Sequence, residues 1–182
     1  MINFEIKNKT YKCRTNPSEI SLKEFAKISA IQSGDGEHVE KWLQVLDIVS
    51  DSGLVNEIGI KGLAAFITEF QSPQIGSNIT KEIEVNGRTY VYNDDPSAKA
   101  IQTLERFMVS RKDYAAHVFA VVYEDTQLTH VEHQDKSHIE FKAKLFGEQI
   151  TADIAIPVIV DIAKIFVENT KAINDGFPMA TA

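Results

Sequence analysis

The chain has 182 residues, 43% hydrophobic, 25% charged and 9% aromatic, which suits one domain or two very small ones and is too apolar for a disordered segment. Lys and Arg number 19 against 26 Asp and Glu, so the formal charge is −7, which argues against general nucleic-acid binding and against an anionic membrane surface. A lone cysteine, Cys13, cannot form an internal disulfide, as expected of a protein made in a reducing compartment.

The first residues, Met-Ile-Asn-Phe-Glu-Ile-Lys, alternate apolar and polar. That reads as a half-buried strand, and it lacks the continuous apolar core of a secretion leader. Asn8-Lys9 is read as a turn, Tyr11 opens the returning strand, and Cys13 falls within it as a half-buried or rim thiol. Asn16-Pro17-Ser18 ends the hairpin and starts a helix, because proline suits the first helical turn and Asn can cap it.

Helical spacing then predicts helices near 17–32, 37–50 and 60–71, with a short turn of helix over Leu54–Ile58. Leu43, Leu46 and Val49, with Trp42 and Val45, give the second a wide apolar face, and Trp42 is read as core. Leu63, Phe66, Ile67 and Phe70 stripe the third. Charge is uneven here, with +3 over residues 1–32 and −5 over 33–80. The one linker-like stretch is Ser72-Pro73-Gln74-Ile75-Gly76-Ser77-Asn78.

After it the chain repeats itself. Residues 83–97 align with 4–18 at an offset of 79 without a gap, with identities at Glu5/Glu84, Thr10/Thr89, Tyr11/Tyr90, Pro17/Pro96 and Ser18/Ser97. Asn86-Gly87 is the strongest short hairpin signal, since a type I′ turn needs positive φ at both central positions. Asp95 takes the capping place of Asn16. Helices are predicted near 97–111, 113–124, 137–147 and 157–173, with Glu124–Lys136 as a polar loop. Ala115, Val118, Phe119 and Val122 make a small, buried face, and Ile139, Lys142 and Phe146 a thinner one. Pro157 is placed in the first turn of the last helix, which Asn174-Asp175-Gly176 ends. Ile154–Val167, the most apolar stretch, is too short and too charged to span a bilayer.

Candidate chemistry is sparse. His130, His133 and His138, with Glu132 and Asp135, form a histidine-rich loop of a kind that can suit zinc, but the spacing matches no finger and a solvated loop is the simpler reading. His38 and His117 are matched by the repeat and are read as helix-surface or boundary residues. Asp94-Asp95 and Glu124-Asp125 are adjacent carboxylates, whereas an acid–base dyad needs facing groups. No glycine-rich phosphate loop and no Gly-x-Ser-x-Gly is present.

The hairpin, the run Asn-Pro-Ser-Glu-Ile-Ser-Leu-Lys-Glu-Phe, the helices ending in Leu-Asp-Ile-Val-Ser, and Phe119-Ala-Val-Val-Tyr before a polar loop and closing apolar helices together resemble small acidic proteins of phage tail modules. The resemblance covers most of the chain as a pattern of elements, and it carries over no catalytic or binding residue. It implies a tail assembly chaperone that binds a long helical tape-measure protein, working in the host cytoplasm or carried into the virion.

The expected fold is therefore α+β and mainly helical. Two tandem units are expected, a hairpin-helical unit over 1–72 and another over 81–176, with a linker over 73–80 and a loose tail over 177–182, the two units packed side by side or sharing one core. The expected function is non-enzymatic assembly through a protein partner, without metal, cofactor, nucleic acid or membrane. The alternatives are a permanent virion subunit of baseplate, neck or tail completion, and a small metal-binding protein using the histidine loop.

Overall fold

A computed structural model describes residues 1–71, 78–110, 114–129 and 135–176. Its elements are β1 (Ile2–Ile6), β2 (Lys9–Cys13), a 3-10 turn (Pro17–Glu19), α1 (Leu22–Ser33), α2 (His38–Val49), α3 (Leu54–Glu57) and α4 (Ile60–Gln71). They continue with β3 (Glu82–Val85), β4 (Arg88–Tyr92), α5 (Ala98–Ser110), α6 (Ala115–Val122), β5 (Tyr123–Asp125), α7 (Lys136–Gln149) and α8 (Ala152–Gly176). The fold is α+β and mainly helical, with two small antiparallel sheets, β1-β2 and β3-β4-β5. The expected linker residues 73–77 and the tail 177–182 lie outside the described residues.

The hairpins form where turn chemistry allows positive φ. Asn86 and Gly87 sit at φ 53° and 71°, as a type I′ turn requires. In the first hairpin the turn residues are Lys7 and Asn8, at φ 51° and 64°, rather than Asn8 and Lys9. Lys9 instead faces Ile6 across the ladder. The two hairpins share a register, since Phe4 faces Tyr11 and Glu5 faces Thr10, while Ile83 faces Tyr90 and Glu84 faces Thr89. Each is also joined by a later segment. Cys13 bridges Ser50, with Arg14 N donating to Val49 O at 2.9 Å. Tyr92 pairs with Tyr123, with Asn93 N donating to Val122 O at 2.8 Å. The likeness stays local. Helix α1 begins nine residues after Cys13 and α5 six after Tyr92, so the 79-residue repeat is not confirmed through the helices.

Three expected helix boundaries are corrected. The helix expected over 17–32 is split, because Ser21 is a true N-cap. Its Oγ accepts from Glu24 N, and Glu24 reaches back to Ser21 N, so the reciprocal capping box restarts the chain as α1. The helix expected over 113–124 stops at Val122, and Tyr123–Asp125 turns out to be the third strand of the second sheet. The last helix begins at Ala152, which leaves Pro157 inside it rather than in its first turn.

Arg14 ties the first half together. Its guanidinium donates to both oxygens of Glu24, at 3.0 and 2.8 Å, and to the carbonyls of Glu19 and Ile48, at 3.1 and 3.0 Å. Paired geometry of this kind is worth more than an exposed ion pair. We expect Arg14→Ala to lower stability by about 2 kcal/mol in a urea titration, since two carbonyls and a partly buried carboxylate lose their donor together.

The apolar side chains collect into two clusters. One gathers Tyr11, Cys13, Trp42, Val45, Leu46, Leu54, Phe66 and their neighbours from the first half, with Ala152 and Ile156 from α8. The other gathers Tyr90, Leu104, Phe119, Tyr123, Ile139 and Phe146 from the second half, with Leu22 and Ala26 from α1. Phe25 packs against both. The starts of α1 and α8 are laced by a two-way bridge between Ser21 and Thr151, with Leu22 N donating to Ile150 O at 2.7 Å and Ala152 N to Ile20 O at 2.8 Å.

Candidate functional site

Helix α6 runs through the centre of the second half, with every residue from Ala115 to Val122 buried. Its alanines let α1 and α7 approach closely, and α5 packs beside it. Two polar side chains are carried into this apolar setting. His117, on α6, is 6% exposed, and Lys142, on α7, is fully buried.

Lys142 lies where the spacing Ile139, Lys142, Phe146 puts it, on the buried face of α7. Its Nζ donates to Tyr123 O at 2.7 Å. Strand β5 is an outer strand of its sheet, so an outward carbonyl there has no further strand to accept from. Tyr123 N is already spent on Phe119 O at the end of α6, and Lys142 fills the matching need of the carbonyl. Burial brings the amine down to about 8, and the charges of Glu124 and Asp125 act the other way. In the same cluster Phe119 and Tyr123 stack at 4.2 Å, and Phe146 meets both of them and Tyr90 edge-on, the last at 4.9 Å. Burial also raises the Tyr123 hydroxyl, to about 12, and that hydroxyl donates to Thr80 O.

His117 is not the surface or boundary residue expected. Its Nε2 is 3.0 Å from Glu140 Oε2, and its ring packs 4.6 Å from that of Phe107. A carboxylate accepts only, so placing the hydrogen on Nε2 makes this a hydrogen bond and leaves Nδ1 as a lone pair without a partner. His38, its match in the repeat, is exposed at the start of α2, where its Nε2 accepts from Trp42 Nε1 at 3.1 Å. The two histidines therefore do different things. Trp42 is core, as expected, and meets Phe66 and Phe70 edge-on at 6.0 and 5.8 Å.

A cavity of about 230 Å³ opens beside His117, between α1, α6 and α7. Its floor is Ala26, Ala116, Ala143 and Gly147, and its mouth carries Lys23, Lys27, Lys144, Glu140 and Glu148. Gly147 contributes space as much as freedom, because a Cβ there would meet Lys23 Cβ at 3.4 Å and Ala116 Cβ at 3.9 Å. We therefore expect Gly147→Ala to be accepted and to raise stability by about 0.5–1 kcal/mol in thermal or urea unfolding, by removing a helix-interior glycine.

The other candidates are dispersed. Cys13 is fully buried rather than half-buried, and burial lifts its thiol to about 11, which makes it inert as a nucleophile. Asp94 pairs with Lys81 at 3.1 Å. Asp95 does not cap α5. Ser97 does, with its Oγ accepting from Ala100 N at 3.2 Å. Glu124 accepts from Asn93 at 2.8 Å, while buried Asp125 accepts from Arg88 at 3.0 Å. Asp135 caps α7, accepting from the Ser137 hydroxyl, from His138 N at 3.2 Å and from Ser137 N at 2.9 Å, and these bonds, the hydroxyl's first, hold its carboxyl below the usual range. His130, Glu132 and His133 lie outside the described residues. Among the described residues no three His, Cys, Asp or Glu side chains gather as a metal-holding group, and no helix is long and apolar enough to cross a membrane.

Compared with protein-family models, curated proteins and solved structures, the chain matches none.

Proposed function

We propose that the chain is a non-enzymatic phage assembly protein, a tail assembly chaperone that binds a helical partner such as the tape-measure protein. The observation that carries the reading is a recess of about 260 Å³ beside the second hairpin, where Phe141 of α7 stands 60% exposed. Val85, Tyr90, Leu128 and Leu145 line the same recess, with Asn86, Arg88 and His138 as its polar part. An exposed aromatic beside apolar side chains with a polar rim suits the anchoring of an amphipathic helix. The acidic charge of −7 keeps many copies apart in solution.

A second reading, a permanent virion subunit, is favoured by one feature. Strands β1 and β3 are the outer strands of their sheets, open to extension by a neighbouring chain.

Mass spectrometry of purified particles beside lysate of the producing cells separates the two. Abundance in lysate with absence from particles supports the chaperone, and stoichiometric presence in particles supports the subunit. Capture of the tape-measure protein by the wild type, lost in Phe141→Asp, is the expected result for the chaperone. Equal capture by both proteins removes the recess from the reading.

A further inference from the structure

The cavity between α1, α6 and α7 has a charge arrangement that its own contacts do not exhaust. Of the two carboxylates at its mouth, Glu140 is engaged by His117 at 3.0 Å, and Glu148 lies 3.8 Å from Lys23. That leaves the amines of Lys27 and Lys144, both exposed, facing one opening from two different helices. Lys23 and Lys27 are one turn apart on α1, a like-charge spacing that costs stability unless something negative sits between them. Three ammonium groups at one mouth also stand out in a chain of net charge −7.

The interior adds an acceptor rather than a further cation. The wall includes His117, more than nine-tenths buried, whose Nδ1 lone pair has no hydrogen-bond partner and suits an O–H of a guest, such as that of a protonated phosphate, rather than its anionic oxygens. An orphaned buried nitrogen in a native core is uncommon and asks for a reason. The floor is alanine and glycine, so the space is small and smooth, with room for a compact molecule rather than for a peptide segment.

We propose that this cavity binds a small oxyanion, a molecule whose phosphate or carboxylate head is held by Lys27 and Lys144 and whose body rests on the alanine floor beside His117. This goes beyond the protein-binding role and does not depend on it. Lysine serves such a head as a point charge, without the forked geometry of arginine.

The test is a nitrogen–proton NMR titration of the full chain with sodium phosphate and, separately, with sodium succinate. Ionic strength is held constant with sodium chloride, which on its own serves as the blank. Saturable shifts are expected at the amides of residues 23–27 and 143–148 and at the ring nitrogens of His117, with Kd on the order of 1 mM. Saturation by phosphate alone assigns a phosphate head, by succinate alone a carboxylate head, and by both an oxyanion site without that preference. The double variant Lys27→Gln/Lys144→Gln changes only exposed side chains, and it is expected to bind at least about ten-fold more weakly with an otherwise superimposable spectrum. Gly147→Ala, which adds a methyl group to the floor, is expected to weaken binding as well. Three results would overturn the proposal: no saturable shift with either anion at about 20 mM, shifts that chloride reproduces, or unchanged affinity in the double variant.

Discussion

Phe146→Ala is expected to lose about 3–5 kcal/mol of stability, the largest effect of any single truncation argued from this fold. Phe146 has no exposed surface and packs edge-on against three rings, those of Tyr90, Phe119 and Tyr123, at 4.9, 5.5 and 6.5 Å. It joins α7 to the β3-β4-β5 sheet and to α6 at once. No neighbour can fold into the space, because Tyr123 is held by its own hydroxyl and by the strand that carries it. A small domain has a total stability of about 5–15 kcal/mol, so the variant should be largely unfolded at mild denaturant concentrations. Urea titration followed by circular dichroism measures the loss, and a shift below about 1 kcal/mol would mean that the site repacks freely.

The second large effect is a pH dependence. Lys142→Met removes the buried amine, and the gap in stability between wild type and variant should then change with pH. In the folded protein the amine titrates at about 8, whereas its unperturbed value is 10.5. Below the folded value both states are protonated, and the burial cost of the charge is present in full. As pH rises through the window, the folded state releases its proton first, so the unfolded state holds more protons and the folded state gains. The gain is complete above 10.5, and the separation of the two values corresponds to about 3 kcal/mol.

Wild type alone will not display this cleanly. Burial raises Cys13 to about 11 and also lifts the hydroxyls of Tyr92 and Tyr123, and each of these stabilisations fades as pH rises through the folded value. The comparison with Lys142→Met cancels those contributions. Urea midpoints of both proteins at about pH 7, 9 and 10 are the measurement, and parallel curves would show that the amine is solvated. At neutral pH two effects oppose, since Met removes the burial cost of the charge, about 3 kcal/mol, and leaves Tyr123 O without a donor, about 1–3 kcal/mol, so the two proteins are expected to lie close there.

The hairpins were the most legible part of this fold. Asn86-Gly87 states its own turn, and alternation along Ile83 and Val85 states which face is buried. The same offset applied to the first hairpin would have placed the turn at Lys7-Asn8, where it is, since a lysine at positive φ gives no signal by itself. Helices α2 and α4 followed directly from their apolar spacing, and α3 lies within the short turn of helix expected over Leu54–Ile58. Strand β5 was hidden because Tyr123–Asp125 follows a helix that is apolar except for His117, without a glycine or proline between them. Only its pairing with β4 makes it a strand, and such long-range pairing overrides local preference. Lys142 was visible as a core position but not as a reason. The periodicity put it among Ile139 and Phe146, yet nothing in the sequence shows that an outer strand's carbonyl waits for it. His117 was misread for a related cause, since its partner Glu140 lies 23 residues away on another helix.

The bridge between Ser21 and Thr151 has a consequence for how the chain is made. The first half leaves the ribosome with Leu22 and Ala26 of α1 turned toward partners that are not yet synthesised, because their cluster is built from residues 83–162. At a synthesis rate of roughly 5–20 residues per second, the interval before residue 151 emerges is on the order of ten seconds. During that time an apolar stripe and the unbridged backbone of residues 20–22 are open to any chain nearby, including sister chains on the same message. A protein made in many copies would then be most prone to aggregation while still being translated, and slowing translation downstream of α4 should lower its soluble yield.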